Sequence, residues 1–184
     1  PYPCMNGRYT LCENYGKPET GHRHYGFISP GAYAQFNVYS VKSVKKMPAS
    51  VSFREGALVD TAGVALHGME QTGITAGGTV AVIGPGPIGL IAMRFAKALG
   101  AARVIMVGRG VRLAAAQKLG ADGVVDFANV EPVAAVRKFT GGEGVDEAYE
   151  CSGAEGTFAQ AVKMVRKGGK VALLGVPSDK ALEG

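Results

Sequence analysis

The sequence lacks any long apolar segment, any secretion signal and any paired cysteine framework. No run approaches the ~18 apolar residues that a membrane-spanning helix needs, so no membrane partner is expected. The first residues, "PYPCMNGRYT", have no basic stretch followed by an apolar one, which excludes a signal peptide among them. The three cysteines, Cys4, Cys12 and Cys151, are too few for a disulfide scaffold. Reduced thiols are typical of a cytoplasmic protein.

The sequence also has no block of like charges. Its 20 Lys and Arg residues exceed its 15 Asp and Glu residues, which gives a net charge of +5. The basic residues are dispersed, whereas binding to a nucleic acid needs a clustered basic face. With 47% hydrophobic and 19% charged residues in 184, the composition is that of a globular protein without a nucleic-acid partner.

The first third of the chain has weak periodicity. Residues 1–30 are rich in Gly, Pro, Tyr and Asn and are predicted to be loop. "GAYAQFNVYSVKSVKKMP" (Gly31–Pro48) alternates and is rich in Val, Tyr and Phe, which predicts short antiparallel strands. "SFRE" (Ser52–Glu55) has the spacing of a capping box, so a helix is predicted from there to about Glu70, with Gly73 as its stop.

From Thr79 onward, short β-branched strands alternate with helices. The strands are apolar on both faces, which predicts a parallel sheet covered by helices on both sides. Right-handed crossovers then give a doubly wound sheet of the dinucleotide-binding type. Such a sheet is expected to have a sixth strand, and we expect this last strand to be missing from the residues up to Gly184. The predicted strands are Thr79–Ile83, Arg103–Val107, Gly123–Phe127, Val145–Glu150 and Lys170–Gly175, and the helices are Pro87–Leu99, Val111–Leu119, Glu131–Phe139 and Thr157–Arg166.

The first strand is followed by "GPGPIG", a G-x-G-x-x-G pattern that opens a helix. We expect Gly84 to permit the sharp turn, Gly86 to let a pyrophosphate approach the backbone, and Gly89 to let the helix pack closely on the sheet. The helix start offers free N–H groups, that of Ile88 among them, and the positive end of a dipole to phosphates. Pro87 stiffens the turn at a position where a proline loses no hydrogen bond. The turn therefore predicts a dinucleotide site, and the alternative is a tight turn of an unrelated α/β protein.

The second strand ends in "VGRGVR", without the Asp or Glu that binds the ribose hydroxyls in an NAD site. Gly108 leaves space and Arg109 supplies a guanidinium fork for a 2′-phosphate. NADP is therefore favoured over NAD. The alternative is that Arg109 is a solvated loop residue and that NAD binds without the acid.

Three segments carry a resemblance to a known family. "CMNGRYTLC" resembles the last two cysteines of a four-cysteine zinc lobe, "GALVDTAGVALHGM" precedes the glycine turn, and "GVDEAYECSG" with "GGKVALLGVP" resembles two strands of the dinucleotide domain. Together they resemble the zinc-containing medium-chain alcohol dehydrogenases, over essentially the whole chain. The resemblance implies a part of a small, mainly β, GroES-like catalytic domain over 1–72 and a Rossmann domain over 73–184, as a fragment of a longer enzyme.

The family reaction is hydride transfer between an alcohol or polyol and NAD(P), with zinc as Lewis acid. Asp60 matches the position of the third zinc ligand, and burial in an apolar helix would make such a carboxylate costly without a metal. The other two ligands match no residue here, so no catalytic residue is assigned and the chain alone is expected to be inactive. Pro1 stands where the family usually has the second lobe cysteine, so no zinc is expected on Cys4 and Cys12.

The resemblance also implies further cofactor contacts. Ser152 follows the fourth strand, and backbone groups of Leu174, Gly175 and Val176 are expected near the nicotinamide. Arg112 matches a position that reaches toward the adenosine ribose. A small alcohol or carbonyl substrate of unspecified identity and a homo-oligomer, dimer or tetramer, are implied as well.

Two other functions compete with this one. The first is a zinc-free relative of the quinone or enoyl reductases, against which Asp60 and the cysteine lobe argue. The second is a non-catalytic dinucleotide-binding module.

Overall fold

The computed structural model describes residues 1–21 and 24–177 and divides into two units, Pro1–Pro48 and Ala49–Gly184. The first unit holds a short helix, α1 (Tyr2–Met5), and the 3₁₀ turns Tyr9–Leu11, Pro18–Thr20 and Val41–Ser43. Within it the structure describes no strand, only an isolated bridge between Tyr25 and Ser29. The strands predicted over 31–48 are therefore wrong. Alternation alone does not make a strand without a paired neighbour, and Phe36 and Val38 are each 90% exposed.

The second unit begins with the predicted capping box. Ser52 Oγ accepts from the Glu55 amide at 3.2 Å, and the Glu55 carboxylate accepts from the Ser52 amide at 2.8 Å. The helix it opens, α2 (Phe53–Gly56), is short, and α3 (Val59–Thr72) follows after a break at Ala57 and Leu58. The single predicted helix is thus two helices.

Five parallel strands form one sheet in the order β3-β2-β1-β4-β5. The doubly wound α/β prediction is confirmed, because α3, α4 and α5 cover one face of the sheet and α6 and α7 cover the other. The strands are β1 (Thr79–Ile83), β2 (Arg103–Gly108), β3 (Gly123–Asp126), β4 (Val145–Glu150) and β5 (Val165–Leu173), and the helices are α4 (Pro87–Ala98), α5 (Gly110–Lys118), α6 (Pro132–Lys138) and α7 (Thr157–Met164).

Helix α3 packs on the sheet of the second unit rather than ending a separate domain. Ala65 and Met69 are buried in the core cluster that contains Met93 of α4 and Val82 of β1. The family resemblance implies a domain boundary at residue 72, whereas the structure groups residues 49–72 with the sheet. In the part of the chain that the structure describes, no helix is long and apolar enough to cross a membrane.

Candidate functional site

A crevice of about 840 Å³ opens at the carboxyl ends of β1 to β4. Parallel strands all end at this edge, which is where ligands bind in doubly wound sheets. The crevice is lined by residues 83–87, 107–112 and 126–128, with Cys151, Ser152, Ala154, Thr157 and Gln160.

The glycine turn forms one wall of the crevice, and its three glycines have different surroundings. Gly84 has φ +99°, and a Cβ there would lie 2.9 Å from Ser152 Cβ. A Cβ on Gly89 would collide with the carbonyl oxygen of Gly84. Gly86 differs, because a Cβ there would meet nothing within 4 Å. The first and third glycines therefore fit the turn and the close helix packing expected of them, while the second faces open space.

Helix α4 begins at Pro87, directly after its N-cap residue Gly86, and no described side chain caps it. The first N–H groups of a helix have no intrahelical acceptor, so such a start attracts anions. Because Gly86 and Pro87 line the crevice, this uncapped start faces the space that a diphosphate would need.

Arg109 and Arg112 line the same crevice, beyond the end of β2. The Arg109 guanidinium lies 5.5 Å from the centroid of the Phe127 ring. Among the ion pairs that the described residues form, none includes Arg109 or Arg112. Two cations therefore remain available to an anion at this end of the crevice.

Gly108 has a different role from the one predicted. It is buried, and a Cβ at this position would lie 2.5 Å from Pro85 Cγ. The space beside Gly108 is therefore filled by the proline of the glycine turn, and it is not left open for a 2′-phosphate. The prediction of a 2′-phosphate site therefore rests on Arg109 and not on Gly108.

The loop after β4 is held by a buried carboxylate that the sequence analysis missed. Glu150 is fully buried, and its Oε1 accepts from the Ser152 amide at 2.8 Å, the Ser152 hydroxyl at 2.5 Å and the Thr157 hydroxyl at 3.0 Å. The Gly153 amide lies 3.1 Å from both carboxylate oxygens. Hydrogen bonds of this kind offset the cost of burying a charge, so Glu150 fixes the loop that carries Ser152.

Several predicted cofactor neighbours do not line the crevice as the structure describes it. Ile88 and Leu174 pack against the core, Leu174 facing Gly68 of α3. Gly175 lies against Gly153, its amide donating to the Glu150 carbonyl at 2.9 Å, and Val176 is 91% exposed.

Cys151 lines the crevice but is not an activated nucleophile. Its burial, with the neighbouring charge of Glu150, raises the pKa of the thiol well above its ordinary value. The thiol donates to the Tyr149 carbonyl at 3.7 Å and packs against the apolar core. The interpretation of Cys151 as a small apolar residue agrees with this environment.

The family model for zinc-binding dehydrogenases matches residues 87–183. Sorbitol dehydrogenase from Bacillus subtilis is 33% identical over 180 residues, covering 97% of this chain and 49% of that protein. L-threonine 3-dehydrogenase from Bacillus velezensis is 34% identical over 176 residues, covering 95% and 49%. The chain belongs to the zinc-binding dehydrogenases. It spans about half the length of the curated relatives that it matches.

Solved structures of dehydrogenases share the fold. The chain superposes on a putative zinc-binding dehydrogenase from Sinorhizobium meliloti, described as bound to NADP, with a TM-score of 0.86 and 31% identity. This match covers 96% of this chain and 51% of that one. Galactitol-1-phosphate dehydrogenase from Escherichia coli gives a TM-score of 0.84 with 25% identity, and the match covers 96% of this chain and 49% of that one.

The described residues do not form a zinc centre. Asp60 lies on an exposed position of α3, so the expectation that it is buried is wrong. The apolar residues around it suggested burial, but α3 buries the face that carries Ala65, Gly68, Met69 and Thr72. Across residues 1–21 and 24–177, no group of three His, Cys, Asp or Glu side chains could hold a metal ion. A catalytic zinc needs three protein ligands, and the described residues do not bring three together.

Cys4 and Cys12 lie close enough to interact in the first unit. The side chain of Cys12 raises the pKa of the Cys4 thiol by hydrogen bonding to it. Both thiols are free, and this contact does not supply the further ligands of a tetrahedral zinc site.

Proposed function

We propose that this chain binds a nicotinamide dinucleotide in the crevice, as the cofactor-binding part of a dehydrogenase acting on an alcohol or polyol. The observation that carries the proposal is the uncapped start of α4 beside Gly86, where a Cβ would enter open space. Backbone N–H groups at such a start bind a diphosphate without a charged side chain. When bound, the cofactor accepts a hydride from the alcohol or gives one to the carbonyl.

We further propose that NADP is preferred over NAD. Arg109 follows β2 directly, lines the crevice and has no ion-pair partner among the described residues. A guanidinium fork suits a phosphate dianion, which it binds through two parallel hydrogen bonds. No carboxylate follows β2 to repel that phosphate, since Gly108 and Gly110 flank Arg109. The relative from Sinorhizobium meliloti that is described with NADP supports this preference.

The affinities of the protein for NADP and NAD, measured by isothermal titration calorimetry, test this proposal. Replacing Arg109 with Ala should weaken NADP binding by roughly 10- to 100-fold, because a charge-assisted hydrogen bond contributes about 1.5–3 kcal/mol. Binding of NAD should change little. Arg54→Ala, an exposed residue of α2 outside the crevice, is the matched control. An unchanged NADP affinity in Arg109→Ala would contradict the preference.

A preference for NAD is the second candidate, because the Asp126 carboxylate also lines the crevice. A carboxylate there would accept hydrogen bonds from ribose hydroxyls, as the acid of an NAD site does. Asp126→Asn distinguishes the two cases. If NAD is preferred, Asp126→Asn should weaken NAD binding. If NADP is preferred, the variant should leave NAD binding unchanged or strengthen NADP binding.

The role of Asp60 as a zinc ligand stays a prediction, and it concerns a full-length enzyme that contains this chain. Asp60→Ala in that enzyme should lower the zinc content measured by elemental analysis. Unchanged zinc with full activity would exclude the role. A homo-oligomer and a cytoplasmic location also stay predictions.

A further inference from the structure

We infer that Phe127 is a positioning residue of the crevice, whose ring holds the Arg109 guanidinium where a 2′-phosphate would bind. On this inference, Phe127 contributes to the selectivity for NADP over NAD without contacting the reacting atoms. The inference rests on the proposed function, because it concerns the same crevice and the same cofactor.

The sheet brings the two side chains together. Gly108, the last residue of β2, pairs with Asp126, the last residue of β3. Arg109 and Phe127 are the next residues of these neighbouring strands, and the Phe127 amide donates to the Gly108 carbonyl at 3.2 Å. Both side chains therefore leave the same edge of the sheet side by side, and both line the crevice.

The contact fixes the arginine without neutralising it. The guanidinium carbon lies 5.5 Å from the ring centroid, within the range of a cation–π interaction. An aromatic ring satisfies none of the N–H donors of Arg109, whereas a carboxylate would occupy two of them. The guanidinium therefore keeps its charge and its donors for a phosphate while it loses conformational freedom.

The carboxylate next to this pair is occupied elsewhere. Asp126 accepts from the Ala128 amide at 3.0 Å and from the Asn129 side-chain amide at 3.2 Å, so it closes its own turn. No ion pair joins it to Arg109 in the part of the chain that the structure describes. The arginine therefore has an aromatic neighbour in place of an acidic one.

Phe127 does little for the core. Its side chain is 47% exposed and lies outside both core clusters of buried residues. A half-exposed ring at the mouth of a crevice is thus explained by its contact with Arg109. Because the fold depends little on it, Phe127 can be changed without unfolding the protein.

The test compares the dissociation constants of NADP and NAD for the wild type, Phe127→Leu and Phe127→Tyr. Leu keeps apolar bulk but removes the ring, and Tyr keeps the ring. We expect Phe127→Leu to weaken NADP binding by about 2- to 5-fold, which corresponds to the loss of an exposed cation–π contact. The affinity for NAD should stay unchanged. Phe127→Tyr should keep the wild-type ratio. In the Arg109→Ala background, Phe127→Leu should have no further effect on NADP.

Three outcomes would overturn the inference. Equal weakening of NADP and NAD in Phe127→Leu would mean a structural role or a direct contact with the part that both cofactors share. An unchanged NADP affinity in Phe127→Leu would show that the ring does not affect NADP binding. If Phe127→Leu weakened NADP binding as much in the Arg109→Ala background as in the wild type, Phe127 would act independently of Arg109. Failure of the proposed function has a different signature, since the wild type would then bind neither dinucleotide, and the inference would fall with it.

Discussion

At the scale of single residues, the glycines of the G-x-G-x-x-G turn differ in whether the fold itself requires them. Gly89 is needed for packing, because a Cβ there would collide with the Gly84 carbonyl. Gly86 has φ −79° and open space beside it, so the free protein would accept a side chain there. A Cβ at Gly86 would therefore obstruct only a group that approaches from outside, as the proposed diphosphate would.

Two glycine substitutions separate these demands. Gly86→Ala should leave the free energy of unfolding within about 0.5 kcal/mol, or raise it slightly, because Ala restricts the unfolded chain. It should nevertheless weaken NADP binding by at least ~10-fold, because the methyl group would occupy the place of the diphosphate. Gly89→Ala should destabilise the protein by about 1–3 kcal/mol through overpacking. Urea unfolding and calorimetric titration measure the two effects, and a stable Gly86→Ala variant with wild-type affinity would contradict the proposed site.

At the scale of secondary-structure elements, two carboxylates join strand starts to other elements. Asp146 accepts from the Thr79 amide of β1 at 2.7 Å and from Arg166 Nε of β5 at 2.8 Å. Asp122 accepts from the Val104 amide of β2 at 2.7 Å and from Lys97 Nζ of α4 at 2.8 Å. For Asp146, burial acts to raise the pKa, but the Thr79 amide and the Arg166 guanidinium outweigh it, and the net pKa is lowered. For Asp122 the net pKa is also lowered, with Lys97 and the Val104 amide outweighing burial.

This arrangement predicts a loss of stability in acid. A carboxylate whose pKa is lower in the folded state stabilises the fold fully above its unfolded pKa, roughly 4. That contribution is lost as the pH falls from there through the folded pKa. Asp146→Asn should therefore cost about 1 kcal/mol at pH 7, and its urea midpoint should converge with that of the wild type toward pH 3. Glu155→Gln, in an exposed loop, is the control, and parallel curves for wild type and Asp146→Asn would contradict the assignment.

The elements of the second unit could be predicted where the pattern reports burial directly. Strands such as Thr79–Ile83 are buried at every position, so their uniform apolar character identifies them. The start of β5 at Val165 was missed, because "VRKGGK" has the charges and glycines of a loop, which an edge strand tolerates. Phe127 was missed for another reason. Its place beside Arg109 depends on which strand neighbours β2, and that is not written in the local sequence.

At the scale of the whole molecule, α3 packs on the sheet of the second unit and contributes to its core. Tyr149 of β4 is buried, which raises its pKa to about 12, and its hydroxyl contacts Thr72 Oγ1 at 2.7 Å and donates to the Gly73 carbonyl at 3.1 Å. Lys170 of β5 donates to the Thr72 carbonyl at 2.5 Å. Together with buried Met69, these contacts make the end of α3 part of the core.

Two shortened chains test which residues make up this unit. Residues 49–184 expressed alone should unfold in one cooperative transition, because every strand of the sheet and every helix in both core clusters is retained. Residues 73–184 should lose at least ~3 kcal/mol of unfolding free energy, since Met69 no longer fills its site and the Tyr149 hydroxyl loses Thr72. The comparison uses urea unfolding followed by tyrosine fluorescence, with the 184-residue chain as reference. Equal midpoints for the two shortened chains would show that α3 is dispensable and would support the boundary at residue 72 that the family resemblance implies.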